Sequence, residues 1–405
     1  MHIKFNSSKH LAFYLSHPCS MTHSSRDSDS SKHTDKLLIG ANEHGVAFIG
    51  SKGCQSYERI VPISEFELIE SGAIAVESAK LLGVIRTFGN QPVEIQVTKE
   101  TKNDAKTPTY KMVVKSGRSR ININEVVSAD EVPKTSIAMK DSQYFQFSIS
   151  LLKEMLQAVK PSLNEDCSHA SMRCLQLKVS GTQLSVSTVD GYRLGIAKCN
   201  LDTSTDQEIV ALIPVRVVDM ILSLNSETDP CSIHVSRTAM AIQVGSLKFQ
   251  TSLIDIKFPD LNQVLPRETV GGVVISTKPF IEVLERCKIA VDVSSTGKSN
   301  IPPRIKIKFA KNGVMYCESI KDNSIITEEE FITENTQITC SEDLISAYDY
   351  NFLQQAMTAS KAKTVACTLA YPVHGCGDDP VMILITPIDP NKRFTLLSLI
   401  NPQRF

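Results

Sequence analysis

Thr188-Val189-Asp190-Gly191-Tyr192-Arg193-Leu194-Gly195-Ile196-Ala197-Lys198 sets an Asp-Gly pair between two alternating runs. Leu184, Val186 and Thr188 share one face before the pair, and Leu194 and Ile196 share one face after it. Gly accepts a positive φ that a Cβ would resist, so the stretch predicts a β-hairpin. Read alone, such a hairpin is ordinary structure. Two other stretches give it meaning. They are Lys115-Ser116-Gly117-Arg118-Ser119-Arg120 and Lys257-Phe258-Pro259-Asp260-Leu261-Asn262-Gln263-Val264-Leu265-Pro266.

Around them runs an internal repeat. Residues 5–15, 147–160 and 275–290 each read as a short strand, then Ser or Thr, then an amphipathic helix. In the second, Leu152, Met155, Leu156 and Val159 follow helical spacing, with Ser150 as its expected N-cap. Residues 75–88, 214–224 and 348–359 each read as a helix followed by alternating strands. The two families alternate along the chain. That predicts an α+β fold of three similar domains, each of two helix-plus-antiparallel-strand units, with helices in one layer and sheets in the other. The polar joints ending at Pro133 and Pro266 place the domains at 1–133, 134–266 and 267–388. Residues 389–405 read as a C-terminal extension, and the Ser-, His- and Asp-rich segment 16–35 as a mobile loop.

Composition excludes several classes. The 405 residues are 42% hydrophobic and 21% charged, as in soluble globular proteins. A formal net charge of −1 rules out a polycation that coats nucleic acid by bulk charge, so any DNA contact must come from a locally basic face. No apolar run approaches the ~20 residues of a membrane span. The N-terminus lacks a signal-peptide core, and the 11 cysteines show no CxxC pair, which predicts reduced thiols in a cytoplasmic setting.

Catalytic and metal motifs fail on their own terms. Gly297-Lys298-Ser299 ends like a phosphate-binding loop, yet Asp292 stands where that loop needs Gly. His17, Cys19 and His23 lack a fourth ligand and a frame, so no metal is expected. His374-Gly375-Cys376-Gly377-Asp378-Asp379 reads as a turn, and no GxSxG elbow appears. No cofactor is expected. Lys80, Arg86, Lys153, Lys160, Arg216, Arg286, Lys288, Lys361 and Lys363 lie on or at the ends of the six helices. Such cations are commonly just a solvated face. Together they could also form one sequence-independent, salt-sensitive phosphate surface.

In order and spacing, residues 116–120, 190–194, 213–216 and 258–266 resemble the β subunit of bacterial DNA polymerase III, the sliding clamp, and the likeness runs from about Ile3 to Ile388. The resemblance implies a head-to-tail homodimeric ring that encloses double-stranded DNA, helices inside and sheets outside. It implies no catalysis. Polymerase and clamp-loader subunits would dock through short peptides into a cleft formed by Met172, Val189, Gly191, Tyr192, Arg193, Leu194, Pro259, Val264, Leu384, Thr386, Pro387 and Ile388. The dimer contact would use Ile121 and Ile123 on one side and Ala290 and Val291 on the other. Val189, Tyr192 and Gln263 depart from the family's Thr, His and basic residue, which leaves open a specialised or mobile-element clamp serving another polymerase. An enzyme on a repeated α+β scaffold is the rival from another class. Finally, Leu396-Leu397-Ser398-Leu399-Ile400 is similar to the Gln-Leu-Ser-Leu-Phe type of partner peptide, which raises the idea of a tail that folds back into its own cleft.

Overall fold

The computed structural model describes residues 1–22, 35–100, 108–132, 137, 139, 141–224, 230–266, 268–292, 304–320, 328–331, 337–372, 379–389 and 392–403. His23, Gly297, Lys298, Ser299 and residues 374–378 lie outside them.

Six α-helices occur among the described residues: α1 (Ser8–Ser20), α2 (Ser78–Arg86), α3 (Ile149–Val159), α4 (Val215–Ser223), α5 (Thr277–Asp292) and α6 (Tyr350–Ser360). Their starts follow local chemistry. Ser7 caps α1, its Oγ accepting from the His10 N–H at 3.2 Å. Asp349 caps α6, its Oδ1 accepting from the Asn351 N–H at 2.7 Å. In α3 the positions expected to be apolar, Leu152, Met155, Leu156 and Val159, are all buried. Ser150 is not the residue ahead of that helix, because α3 already begins at Ile149.

α1 also outlasts its expected end and takes in 16–20, the start of the segment read as a loop. Pro18 has no N–H to bond the carbonyl four residues back, and the helix ends only two residues later. It packs so closely on the strand Gly45–Lys52 that a Cβ at Gly50 would collide with the Pro18 carbonyl oxygen. Gly50 is thus the reason the helix can continue.

The chain forms two compact units. The first comprises Met1–Ile149 and Leu224–Leu253, the second Ser150–Ser223 and Ile254–Phe405. The first unit holds a 13-stranded sheet, in which Leu247–Ser252 pairs antiparallel with Gln55–Pro62, Phe249 opposite Tyr57. Its core joins Ile3, Phe5, Leu11, Leu15, Leu81 and Ile85 to the inner faces of the strands. The second unit holds a seven-stranded and a four-stranded sheet, whose strands also pair antiparallel. Its larger core packs Phe280, Leu284, Leu353 and Met357 of α5 and α6 on strand residues such as Ile305, Ile307, Val365 and Ile383. The hydrogen-bonded ladders pass over the joints read at Pro133 and Pro266. A sheet can be continuous where the repeat in the sequence is not.

The segment set apart as an extension is built into the second unit. Thr395–Ile400 is an interior strand, paired with Arg193–Pro214 on one side and Met382–Pro387 on the other. Leu396, Leu399 and Ile400 are at most 2% exposed. The idea that this stretch leaves the fold to act as a peptide in its own cleft is therefore overturned: it is a paired interior strand, with Leu396, Leu399 and Ile400 in the core.

Candidate functional site

The hairpin forms as predicted, between Cys174–Val189 and Arg193–Pro214. Gly191 takes φ +88° in its three-residue connection. Asp190 organises the turn from inside. Its Oδ1 accepts from the N–H groups of Tyr192 at 3.0 Å and Arg193 at 2.8 Å, while the Arg193 Nε donates to Oδ2 at 2.9 Å. Asp190 is only 6% exposed, and these bonds replace the water that burial takes from its oxygens. The last strand docks beside the turn, where the Asn401 N–H donates to the Tyr192 carbonyl at 2.9 Å.

Beneath the turn lies a separate apolar cluster. Cys174, Val189, Leu194, Ile196, Leu212, Phe258, Met382 and Leu399 are its buried part. Met172, Ile254, Leu261, Val264, Leu265, Leu384 and Leu397 pack on it while remaining partly accessible. The Phe-Pro-Asp stretch closes one side, because Asp260 caps a short 3-10 turn (Leu261–Gln263), accepting from the Asn262 N–H at 3.0 Å. Met172, Val189, Leu194, Val264 and Leu384 come together in this cluster, as the resemblance implies, with Gly191, Tyr192 and Arg193 at the adjoining turn and Pro259 next to Phe258.

Thr386, Pro387 and Ile388 do not join this cluster. They close the far end of Met382–Pro387, where Pro387 pairs with Val365 and the Ile388 N–H bonds the Thr364 carbonyl at 2.9 Å. The expectation for these three rests on a fold that ends at Ile388. The final strand is instead Thr395–Ile400, which brings Leu397 and Leu399 to this cluster, Ile400 to the larger core and Asn401 to the turn. Their alternation is legible in the sequence, but it fits a partner peptide as well as a strand.

Arg193 does not offer a free polar end. Its guanidinium pairs with Asp190 at 2.8 Å, donates to Gln355 Oε1 at 2.6 Å and lies 3.9 Å from the centre of the Phe352 ring. Tyr192, 57% exposed, has its ring 6.4 Å from that of Phe352. The accessible polar edge of the cluster is therefore Tyr192. Below it, burial pushes the Asp349 carboxyl above its ordinary range, against the pull of its backbone donors and of Arg193 and Arg304. Burial likewise raises the Cys174 thiol to about 11, so it is no thiolate nucleophile at neutral pH.

The nine cations keep their helical positions, and most are engaged within the chain. Lys80 meets Glu77 at 2.7 Å and Glu125 at 2.6 Å. These carboxylates hold its ammonium well above the usual lysine range. Lys160 pairs with Asp219 at 2.6 Å and Arg216 with Glu165 at 3.0 Å. Arg286 makes a two-pronged contact with Glu329 at 2.7 and 2.6 Å. Lys288 lies 5.4 Å from the Tyr350 ring centre, and Lys361 donates to Gln157 at 3.0 Å. Arg86 and Lys363 are exposed, and Lys153 is half-buried. Exposed ion pairs are worth only about 0–1 kcal/mol, so each can be exchanged for a phosphate at little cost.

Of the residues suggested for a subunit contact, Ile123 is core, 6% exposed and packed opposite Met112. Ile121, opposite Val114, is half-buried. In the strand Ser119–Ser128, Val126, Val127 and Ser128 pair with the strand Gly72–Glu77. Ahead of them, among the described residues, the strand has a ladder partner on one side only. Ala290 and Val291 lie in the last turn of α5.

Residues 146–260 match the family described as DNA polymerase III beta subunit, central domain. The beta sliding clamp of Bacillus subtilis is 22% identical over 282 residues, 67% of this chain and 71% of the relative. That of Haemophilus influenzae is 22% identical over 324 residues, 79% of this chain and 82% of the relative. A crystal structure of the Bacillus subtilis DNA polymerase sliding clamp superposes with a TM-score of 0.84 at 19% identity, covering 100% of this chain and 99% of that one. A Pseudomonas aeruginosa sliding clamp bound to griselimycin gives 0.84 at 18% identity, each chain covered in full. Residues 146–260 thus carry the central domain of the DNA polymerase III beta subunit family, and the chain along its length is similar to beta sliding clamps.

Proposed function

We propose that the protein is a processivity clamp: a homodimeric ring that encloses duplex DNA and tethers a polymerase to it. The observation that carries this reading is the apolar cluster beside the 190–192 turn, on a chain whose whole length superposes on sliding clamps. A short peptide needs such a surface, apolar with few polar anchors. DNA polymerase and loader subunits are the partners, bound in the cytoplasm, and the clamp performs no covalent chemistry. Its gain is effective concentration. No helix of the described residues is long and apolar enough to cross a membrane.

The cations at the helices face the DNA. Because Lys80, Lys160, Arg216 and Arg286 each hold a carboxylate of their own chain, phosphate contact is an exchange of partners. Free binding should be weak and steeply salt-dependent. The subunit contact uses the one-sided part of the strand Ser119–Ser128, since an open edge pairs with another chain unless covered. Two copies of this heterologous contact close the ring, with the end of α5 on the partner side.

The test is retention on DNA after loading. A ring stays on closed circular duplex and runs off linear duplex with free ends, with a dimer in sedimentation. Equal retention on both would replace the clamp with an ordinary DNA binder. Ile121→Asp should yield monomers. Ile123 is unsuitable for that test, because its substitution damages the core. A second reading, a clamp dedicated to a different polymerase, is favoured by Tyr192 and by the internal engagement of Arg193. Binding of Gln-Leu-Ser-Leu-Phe more than tenfold weaker than that of another partner peptide would select it.

A further inference from the structure

The paired strands Arg193–Pro214 and Thr395–Ile400 carry a second concavity at their other end, where Lys198 stands opposite Thr395. A cavity of about 450 Å³ opens there. Three cations line it, Lys198, Lys392 and Arg393, with the amide and hydroxyl groups of Gln183, Asn200 and Thr395. Its carboxylates are fewer. Asp389 is in the lining, and Glu154 takes one hydrogen bond from the Arg393 Nη2. A guanidinium has five N–H donors in a planar fork, so that bond leaves most of the fork's capacity.

Lys392 is held without being neutralised. Its Nζ donates to the Ser360 carbonyl at 2.6 Å and lies 5.0 Å from the Phe394 ring centre. Burial disfavours its charge, and Lys361 adds repulsion that Asp389 and Glu154 oppose. An anion beside it would relieve that penalty. The contrast with another cavity of about 430 Å³, on the four-stranded sheet, is informative. There Lys306 pairs with Glu318 at 3.0 Å and Lys308 with Asp343 at 2.9 Å, so those two lysines are satisfied by the protein itself.

We propose that the cavity around Lys198, Lys392 and Arg393 binds a phosphate group, free, on a nucleotide, or in a nucleic-acid backbone. Three converging cations suit a tetrahedral oxyanion of more than one charge, which can accept from two lysines and from an Arg fork at once. Amide and hydroxyl donors complete such a shell. The assignment does not rest on the clamp reading, because a free anion tests it without DNA.

The experiment is calorimetric titration of the full chain with sodium pyrophosphate, with ionic strength held constant by sodium chloride so that screening is not mistaken for binding. A second arm uses a short duplex oligonucleotide. Saturable pyrophosphate binding is expected. It should weaken about tenfold in Lys198→Gln, as loss of one charge-assisted contact implies, and stay unchanged in Lys308→Gln. Lys198 is exposed, so this variant keeps the fold; adding Arg393→Gln should weaken binding further. Pyrophosphate binding with no effect of Lys198→Gln on the duplex points to a free phosphate or nucleotide. A matching loss in the duplex arm points to the backbone. No saturable binding of either probe, or equal affinities in wild type and Lys198→Gln, would overturn the site.

Discussion

The two ends of one strand pair differ sharply. Where Arg193 faces Ile400, the surroundings are Val189, Leu194 and Leu399, and the polar groups are consumed in the Asp190–Arg193–Gln355 chain. Five residues on, about 17 Å along an extended chain, Lys198 faces Thr395 and the lining is cationic and hydroxylic. Strand alternation decides only which face a side chain takes. What packs on each end decides its chemistry: Met172 and the 3-10 turn at one, the Lys392–Arg393 segment at the other. A single ladder can therefore carry two unlike sites without conflict.

Removing the shared strand should break both ends together. Ending the chain at Asp389 deletes, among the described residues, four buried apolar side chains, Phe394, Leu396, Leu399 and Ile400. At about 2–5 kcal/mol each, that rivals the whole stability of a domain. Near-ultraviolet circular dichroism should show lost tertiary packing. A folded, truncated chain that binds Gln-Leu-Ser-Leu-Phe more tightly would instead restore the detachable tail.

Leu399→Ala sharpens the contrast from the apolar side. It should cost roughly 3 kcal/mol in urea denaturation and abolish peptide binding while leaving pyrophosphate titration intact. Asp190→Ala comes next, at about 2 kcal/mol, because it strips charge-assisted bonds from a buried turn and leaves Arg193 with Gln355 and Phe352 alone. Phe352→Ala removes the ring under Arg193 and beside Tyr192 and should cost about 1 kcal/mol, read as peptide affinity.

The smallest effect is on pH dependence at the cationic end. Burial lowers the Lys392 ammonium below its ordinary range in the folded state. Between its folded pKa and the unfolded value the unfolded chain binds the extra proton, so stability should rise with pH through that window. Lys392→Met should flatten the rise in thermal melts as pH approaches the ordinary lysine value of 10.5. An unchanged slope would mean that the ammonium is as well solvated in the folded chain as in the unfolded one.

How much of this was legible varies with the interaction's range. The six helices were readable because Leu152, Met155, Leu156 and Val159 advertise a buried face by spacing alone, and Asp190-Gly191 by backbone preference. Met172, Val189, Leu194 and Val264 could be grouped by resemblance. The final strand could not be placed, since Leu396-Leu397-Ser398-Leu399-Ile400 satisfies an interior strand and a docking peptide equally well. Ile121 and Ile123 have the same spacing and both stand opposite fully buried residues, Val114 and Met112, yet only Ile123 is core.

The sequence by itself determined the local elements, their repetition, the turn at Asp190 and the absence of a bulk cationic charge, all properties of neighbouring residues. Only the tertiary structure decided that Thr395–Ile400 lies between Arg193–Pro214 and Met382–Pro387, that Arg193 is held by Asp190, Gln355 and Phe352, and that Lys198, Lys392 and Arg393 surround one cavity. Those facts depend on which distant strands share hydrogen bonds, and a ladder between residues some 200 positions apart leaves no periodic trace in either strand.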